Sequence, residues 1–252
     1  MSWTVNNNDV SAYLNSCKKA VSDDNFFSVF KRDPGYRNIL EHVSFEDGQK
    51  YLDSTDIDYL DKLDDIKEND KLGSPIIFEY PNVGSFSPTT LRYLKHTSDI
   101  VKKFGTDIKS IVEIGGGYGG LCKVLSSFIE FESYLIIDLE EPNLLSRKYL
   151  SHFNLPTFSH RSEEISSIEE NFDLLISNYA FSECEREVQI DYIEKFLKRS
   201  NNFYMVYNDL GSSNIHHKEF IELLSNDYDI EFYSEHNIQT EPKVIFGKKI
   251  NS

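Results

Sequence analysis

Five glycines within residues 115–120 constrain this chain more than any other feature of its sequence. They follow a short apolar segment, 111–114, and precede a segment with helical character, 121–131. Glycine permits the backbone angles of a sharp turn and lets the backbone approach a ligand closely. A strand, a glycine-rich turn and a helix in this order predict the ligand-binding turn of a doubly wound α/β sheet.

The residues after position 110 alternate between strand-like and helix-like patterns. The predicted strands are 111–114, 134–138, 156–159, 172–177, 203–207, 230–234 and 244–248. The predicted helices are 121–131, 142–153, 185–197 and 217–224. Such alternation predicts a mostly parallel sheet, and the last two strands are close enough in sequence to pair antiparallel.

The first hundred residues have a different character, with helical periodicity interrupted by polar clusters. The apolar residues that share one face of the first predicted helix are Val10, Tyr13, Leu14, Cys17 and Val21. The acidic segment 53–70 is typical of a solvated amphipathic helix. A loop rich in glycine, proline and serine is expected over 72–88, followed by a helix that stops at Gly105.

Charge and cysteine content exclude several classes of function. The chain has 42 acidic and 26 basic residues, a net charge of −16, so phosphate backbones and anionic lipids repel it. We therefore expect neither a nucleic-acid partner nor a membrane partner. Three cysteines without close pairing predict no disulfide framework and no zinc site, and no spacing requires a metal. The absence of an apolar leader favours a cytoplasmic protein, and a homodimer is compatible with the sequence.

The acidic residues around the glycine turn indicate the kind of ligand. Asp138 ends the second predicted strand, where a carboxylate can accept hydrogen bonds from ribose hydroxyls. Glu113 precedes the turn, where it would repel a pyrophosphate and attract a cationic ligand such as S-adenosylmethionine. Gly115, Gly117 and Gly120 also match the dinucleotide-binding pattern G-x-G-x-x-G, so a dinucleotide-dependent oxidoreductase is a second interpretation. A tight turn without a ligand is the third alternative.

The E-x-G-x-G turn followed by Asp138 resembles the class I S-adenosylmethionine-dependent methyltransferases. This resemblance implies a Rossmann-like α/β fold with a seven-stranded sheet of order 3-2-1-4-5-7-6. It also implies S-adenosylmethionine as cofactor. On this basis we expect an N-terminal helical cap with an acceptor-binding loop over 1–105 and a catalytic domain over 106–252.

Several segments more narrowly resemble the sugar O-methyltransferases of bacterial surface-glycan clusters. Besides the glycine turn, they are EHVS at 41–44, the loop around 69–73, SPTTLRY at 87–93 and SNYAFSE at 177–183. The resemblance implies O-methylation of a sugar hydroxyl on a nucleotide-linked or surface-glycan precursor. Methyl transfer to a phosphoryl-type oxygen and a catalytically silent cofactor-binding scaffold are the alternatives.

The same resemblance implies roles for individual residues. The residues expected at the methionine end of the cofactor are Glu113, Gly115, Gly117 and Tyr118. Asp138 would bind the ribose, with Leu139 beside the adenine. Those expected near the adenine amino group are Ser162 and Glu163. Those expected beneath the transferring methyl group are Ser177 and Asn178.

A sugar hydroxyl is a poor nucleophile, so we expect a general base at the ligand-bearing edge of the sheet. Glu183 is the first candidate, although an acid at a helix N-terminus is also ordinary. Tyr179 would orient the acceptor. After the fifth strand, the residues that could contribute are Asn208, Asp209, His216 and His217. Adjacent helical residues point apart, so at most one histidine is the base.

The segment 80–93 combines aromatic rings with polar side chains and would contact the acceptor. Its predicted substrate-binding residues are Tyr80, Asn82, Ser87, Thr90, Arg92 and Tyr93, together with Asn208 beyond the fifth strand. A plain connection between cap and core is the alternative interpretation of this segment.

Overall fold

The computed structural model describes residues 7–161, 170–209, 211–235 and 242–250. The helices of the described ranges are α1 (Asn7–Ser22), α2 (Asp24–Phe27), α3 (Pro34–Arg37), α4 (Phe45–Asp53), α5 (Leu63–Lys67), α6 (Pro88–Phe104), α7 (Gly120–Leu125), α8 (Glu140–Leu150), α9 (Ala180–Glu183), α10 (Arg186–Lys195) and α11 (His217–Leu224). The strands are β1 (Phe78–Tyr80), β2 (Gly84–Phe86), β3 (Ser110–Ile114), β4 (Ser133–Asp138), β5 (Thr157–Arg161), β6 (Phe172–Asn178), β7 (Ser200–Tyr207), β8 (Tyr228–Ser234) and β9 (Lys243–Lys249).

The strands from β3 onward form a seven-stranded sheet of order β5-β4-β3-β6-β7-β9-β8. The first five strands in this order are parallel, and β9 is antiparallel to both of its neighbours. The connection between β8 and β9 is shorter than the dozen or so residues that a parallel crossover needs. Counted along the chain, the order is 3-2-1-4-5-7-6, so the predicted fold class and strand order are confirmed.

Each face of the sheet covers its own hydrophobic core, because side chains alternate along a strand. On β3, Ile111 belongs to the cluster that the N-terminal helices cover. Val112 and Ile114 belong to the cluster on the opposite face, together with Phe220 of α11. The loops after the carboxyl ends of β3, β4, β6 and β7 therefore meet at one edge between the two cores.

The N-terminal helices and the sheet share one continuous core, which runs from Tyr13 of α1 across position 105 to Phe246 of β9. Asn69 is a buried polar residue that forms hydrogen bonds between the N-terminal helices and the rest of the molecule. Its amide donates to the Thr90 hydroxyl at 2.7 Å, and its Oδ1 accepts from the Tyr149 hydroxyl at 2.7 Å. The cap is thus joined to the rest of the molecule by packing and by hydrogen bonds.

Three predicted local structures were wrong. The acidic segment 53–70 forms α5 and short 3-10 turns rather than one helix, and Leu60 is 60% exposed. Like charges such as Asp61 and Asp65, four residues apart, disfavour a continuous helix. The predicted loop 72–88 contains the β1–β2 hairpin, whose turn places Asn82 at φ 68°. Helix α7 ends at Leu125, well before the predicted end at 131.

Candidate functional site

The glycine turn after β3 requires glycine for both conformation and contact. Gly115, Gly117 and Gly119 have φ angles of 79°, 56° and 89°, which L side chains rarely adopt. The Gly115 amide donates to the Ile137 carbonyl at 2.8 Å. A Cβ atom on Gly115 would lie 2.1 Å from the Cβ of Ala180. Helix α9 therefore packs directly against the turn and brings the end of β6 to it.

Asp138 lies at the end of β4 and is held against the same turn. Its Oδ2 accepts from the Gly117 amide at 3.0 Å, and its Oδ1 accepts from the Leu139 amide at 2.7 Å. The side chain is 4% exposed, and burial raises its pKa to about 6 although both amides oppose the shift. Each carboxylate oxygen has a second acceptor position, so the group can still accept hydrogen bonds from a ligand.

Glu113 lies beneath the turn on the cap side of β3. Its Oε2 accepts from the Tyr134 hydroxyl at 2.8 Å and would lie 3.0 Å from a Cβ atom on Gly116. Burial raises its pKa to about 7, the Tyr134 hydrogen bond opposes this shift, and Asp138 adds to it. A cation near the turn would favour the ionised form of this carboxylate.

The ends of β6 and β7 present amide oxygens to the same edge. Asn178 Oδ1 and Asn208 Oδ1 are buried and have no hydrogen-bond partner within the described part of the chain. Buried polar atoms are normally paired, so this pair indicates a place where a bound group donates. Ser177 differs, because its hydroxyl donates to the Ile114 carbonyl and accepts from the Phe181 amide, both at 3.0 Å. It holds the two strands and α9 together.

Tyr179 follows β6 with a backbone φ of 68°, which is uncommon for a residue with a side chain. Its amide donates to the Val206 carbonyl at 2.8 Å, and its hydroxyl donates to Glu235 Oε2 at 3.3 Å. Burial raises the Tyr179 pKa, and the charge of Glu235 adds to this effect. Such uncommon conformations cluster at functional sites.

Arg92 of α6 and Tyr51 of α4 lie close enough to Tyr179 to influence its pKa. We call Tyr51, Arg92, Tyr179 and Glu235 the acceptor cluster. The sequence analysis missed Tyr51 and Glu235, since neither lies in a motif and both reach the cluster only through folding. The sequence offered one signal for Glu235, which is its position directly after β8, at the ligand-bearing edge of the sheet.

Glu183 lies on α9, the single turn of helix that contacts Gly115 through Ala180. Its amide donates to the Tyr179 carbonyl at 3.2 Å. The residue is half-buried, and burial raises its pKa to about 7. A carboxyl group with this pKa can take up a proton near neutral pH.

The residues after β7 form a second acid–base arrangement. Asp209 accepts from the His217 amide at 2.8 Å, and its Oδ2 is hydrogen-bonded to His217 Nδ1. Burial alone would raise the Asp209 pKa, but the hydrogen bonds with His217 lower it overall. His216 instead lies against the Gly211 carbonyl through Nε2, at 2.8 Å. Among the described residues, His217 is thus hydrogen-bonded to a carboxylate and His216 to a backbone carbonyl.

Several predicted site residues lie inside the protein instead. Tyr118 is 0% exposed, its hydroxyl accepts from Asn69 at 3.1 Å, and Lys31 Nζ lies 4.2 Å from its ring centroid. Its side chain therefore packs against the cap, and its predicted place at the methionine end of the cofactor stays a prediction. The glycine turn directs this ring into the aromatic cluster that also contains Tyr36 and Tyr149.

The predicted acceptor loop is largely hairpin and helix, so most of its side chains are buried. Tyr80 donates to the Phe45 carbonyl at 3.4 Å, and Thr90 donates to Asp70 Oδ1 at 2.6 Å. Ser87 caps α6 by accepting from the Thr89 amide at 3.2 Å. Tyr93 is also buried, with its ring 6.1 Å from that of Tyr118.

Of the remaining predictions, Leu139 is the residue before α8, and Asn82 forms the hairpin turn. Ser162 and Glu163 lie outside the described residues. Within the described ranges, no group of three or more His, Cys, Asp or Glu residues is arranged to hold a metal ion. No helix in those ranges is long and apolar enough to span a membrane.

Known proteins resemble this chain in structure rather than in sequence. No protein-family model and no curated protein matches the sequence. The methyltransferase domain of bacterial CtHen1-C superposes with a TM-score of 0.51 at 12% identity, over 64% of this chain and 97% of that domain. The chain has a class I methyltransferase fold. At this identity the likeness extends to the fold alone.

Two further solved structures with this fold are similar at a lower level. TrmK of M. capricolum, in complex with S-adenosyl-homocysteine, has a TM-score of 0.47 and 14% identity, over 60% of this chain and 66% of TrmK. An rRNA methylase from Streptococcus thermophilus has a TM-score of 0.46 and 18% identity, over 63% of this chain and 95% of the methylase.

Proposed function

We propose that this chain transfers a methyl group from S-adenosylmethionine to a sugar hydroxyl, on a nucleotide-linked or surface-glycan precursor. The observation that carries the proposal is the Asp138 carboxylate, held by the Gly117 amide in a turn of positive-φ glycines. The unpaired Asn178 Oδ1 lies at the end of the strand beside that turn. Together they offer acceptors to the hydroxyl and amino groups of an adenosyl amino acid.

The residues at this edge fit the cofactor. Asp138 would accept from the ribose hydroxyls, and the backbone of Gly115 and Gly117 would lie along the ligand. Glu113 favours a cation over a pyrophosphate at this turn, which argues against a dinucleotide. When bound, S-adenosylmethionine supplies an activated methyl group on a sulfonium.

The acceptor cluster would bind the second substrate, the sugar that receives the methyl group. Tyr179 would orient the acceptor hydroxyl from its position after β6, while Glu235 accepts a hydrogen bond from the Tyr179 hydroxyl. The buried guanidinium of Arg92 would bind an acceptor oxygen. Holding two reactants in such a geometry supplies much of the rate when the donor is already activated.

Glu183 is the proposed general base that takes the proton from the acceptor hydroxyl. Its pKa of about 7 matches a base that works near neutral pH. The His217–Asp209 pair is the rival candidate, since the Asp209 carboxylate would orient the ring through its hydrogen bond to Nδ1. The two candidates lie after different strands, so single variants separate them.

The net charge of −16 favours a sugar acceptor over a long nucleic-acid acceptor. The similar rRNA methylase acts, by its name, on a polyanion that this chain would repel. A phosphoryl-type oxygen remains the alternative acceptor atom, and Arg92 would be the residue that favours it.

Calorimetric titration with S-adenosylhomocysteine, with NAD⁺ as control, tests the cofactor assignment. We expect S-adenosylhomocysteine to bind and NAD⁺ not to bind; binding of NAD⁺ alone would make the chain an oxidoreductase. Mass-spectrometric detection of methylated products from a panel of nucleotide sugars then tests the acceptor. A chain that binds the cofactor but methylates no member of the panel would be a silent scaffold.

A further inference from the structure

Two of the segments that resemble the sugar O-methyltransferases have no role in the site described above. They are the segment 41–44 and the beginning of the segment 87–93. In the structure both line one cavity of about 390 Å³, between the N-terminal helices, β1 and the start of α6. Segments more than forty residues apart in sequence thus build a single concave surface.

The cavity contains a buried carboxylate that lacks a full set of partners. Glu41 is only 9% exposed, and its Oε2 accepts from the Ser87 hydroxyl at 3.4 Å. Its Oε1 is buried and has no hydrogen-bond partner among the described residues. The nearby Thr89 hydroxyl donates to the Leu40 carbonyl at 3.4 Å, and it also lies close enough to the Glu41 carboxylate to lower its pKa. A buried carboxylate oxygen without a donor is costly, so this position favours a ligand that donates a hydrogen bond.

The surroundings of Glu41 do not select an ion. Lys31 and Arg37 line the cavity together with Glu41 and Glu46, so the two signs are balanced. The Lys31 ammonium is already engaged, since it donates to the Asn69 carbonyl at 2.7 Å and lies over the Tyr118 ring. Burial raises the pKa of Glu41, and the charge of Lys31 opposes this shift.

Aromatic rings form part of the cavity wall. The rings of Phe45 and Phe78 line it, with their centroids 5.6 Å apart and their planes tilted by 54°. Apolar ring faces beside a few fixed hydrogen-bonding groups suit a compact ring that carries several hydroxyls. A neutral sugar has both properties.

The cavity is connected to the proposed reaction site by two contacts. Leu40, next to Glu41, packs so closely on Gly117 that a Cβ atom there would lie 2.7 Å from Leu40 Cδ1. Arg92 of the acceptor cluster donates to the Leu40 carbonyl at 3.1 Å. Leu40 therefore links the cavity-lining segment that begins at Glu41 to the glycine turn and to Arg92.

We propose that this cavity binds a neutral sugar ring of the acceptor, with Glu41 accepting hydrogen bonds from its hydroxyls and Phe45 and Phe78 packing on its faces. The proposal rests on the proposed function, because it assigns the substrate site of the same reaction. It assigns a substrate-binding role to Glu41, Phe45 and Phe78, which lie outside segment 80–93.

The test is saturation-transfer difference NMR on the full chain with S-adenosylhomocysteine present. The probes are methyl glycosides of neutral hexoses, deoxyhexoses and N-acetylhexosamines, with inorganic phosphate and UDP measured separately. We expect at least one glycoside to bind, and Glu41→Gln to weaken that binding about tenfold or more, as for a hydrogen bond to a charged group. The S-adenosylhomocysteine affinity should change less than about twofold, since Glu41 has no role in holding the cofactor.

Glu79→Gln is the matched control, because Glu79 lies on the adjacent strand β1, is exposed and does not line the cavity. It should leave glycoside binding unchanged. Should Glu41→Gln fail to fold, Phe78→Ala provides the second variant. Phe78 is 38% exposed, so its loss should spare the fold while weakening glycoside binding roughly fivefold.

The outcomes separate this proposal from the proposed function. A chain that binds S-adenosylhomocysteine but no glycoside overturns the sugar cavity and leaves methyl transfer standing. Glycoside binding that depends on Glu41, without S-adenosylhomocysteine binding, supports the cavity and overturns methyl transfer. Binding of phosphate or UDP alone overturns the sugar assignment. A Glu41→Gln variant that loses both ligands together makes Glu41 part of the cofactor site.

Discussion

Asp138 and Glu113 are carboxylates that the fold removes from water while keeping them beside the glycine turn. Both have raised pKa values, to about 6 and about 7, because burial disfavours their charged forms. They differ in their partners, since two backbone amides hold Asp138 and one phenol holds Glu113. A ligand that donates hydrogen bonds to Asp138 and brings a positive charge near Glu113 would stabilise both in ionised form.

Replacing Asp138 by Asn should weaken S-adenosylhomocysteine binding by about 10- to 100-fold, the cost of hydrogen bonds to a charged acceptor. Calorimetry at pH 8, above the Asp138 pKa of about 6, measures this loss of S-adenosylhomocysteine affinity. The wild-type affinity should also fall as the pH decreases through about 6, because protonation removes the acceptor, whereas the variant should show no such step.

Asp173→Asn is the control for Asp138→Asn. Asp173 accepts from the Lys109 and Ser110 amides at the opposite end of β3, so its loss should lower stability without changing cofactor affinity. Equal affinity losses in the two variants would contradict the ribose assignment.

Replacing Glu183 by Gln should lower turnover by about 10²- to 10⁴-fold with little change in cofactor affinity. The base must be deprotonated to act, so the wild-type rate should rise with pH through about 7, the pKa that burial gives this residue. His217→Asn should leave this pH profile in place. A fully active Glu183→Gln enzyme, with activity lost in His217→Asn, would transfer the role to the His217–Asp209 pair.

At the scale of elements, one short helix organises the site. Helix α9 begins after Tyr179, contacts the glycine turn through Ala180 and carries Glu183. Its Ser182 hydroxyl accepts from the Asn208 amide at 3.1 Å, which joins the end of β7 to the same unit. The contact between Gly115 and Ala180 therefore sets the distance between the cofactor turn and the proposed base.

Comparing two glycines separates the effect of the Gly115–Ala180 contact on stability from the effect of backbone strain. Gly115 and Gly105 both have φ 79°, but a Cβ atom on Gly105 would meet nothing within 4 Å. Gly105→Ala should therefore cost only the strain, about 1–3 kcal/mol. Gly115→Ala should lower the free energy of unfolding, measured in urea, by more than Gly105→Ala does. It should also abolish S-adenosylhomocysteine binding. Equal losses of stability, with binding retained, would show that α9 moves aside freely.

At the scale of the whole molecule, the cap and the sheet are joined through buried polar groups. Asn69 contacts Thr90, Tyr118 and Tyr149, and its backbone carbonyl accepts from Lys31. The shared core makes the molecule one packing unit. We infer that loss of the cap contact would affect the whole sheet rather than the cap alone.

Replacing Asn69 by Leu should destabilise the protein by roughly 2–5 kcal/mol, because several buried hydroxyls lose a partner. Urea unfolding followed by both near-UV circular dichroism, which reports the buried tyrosines of cap and sheet, and far-UV circular dichroism should show one shifted transition with unchanged slope. Asn201→Ala, at an exposed position that donates to Asp173 at 3.3 Å, should change stability by less than about 0.5 kcal/mol. Two separate transitions would show that the cap unfolds alone.

Much of the fold could be predicted from the sequence because its signals are local. Strand–helix alternation and the glycine turn identified the parallel sheet, and a short last connection identified its antiparallel pair. The start and end of α11 were predicted exactly as the structure has them. The positions of Asp138 at the end of β4 and of the glycines between β3 and α7 could be predicted because they lie within one strand–turn–helix–strand unit.

The rest depended on contacts between residues far apart in sequence. The sequence by itself determined the α/β fold class, the antiparallel last pair of strands and the position of the glycine turn, since period and spacing act over a few residues. The full strand order was predicted from the family resemblance. Only the tertiary structure decided that Tyr118 is buried, that Arg92 donates to the Leu40 carbonyl, and that Glu41 meets Ser87 in a cavity. Packing between separate elements sets those neighbours, and no local pattern encodes which side chains will meet.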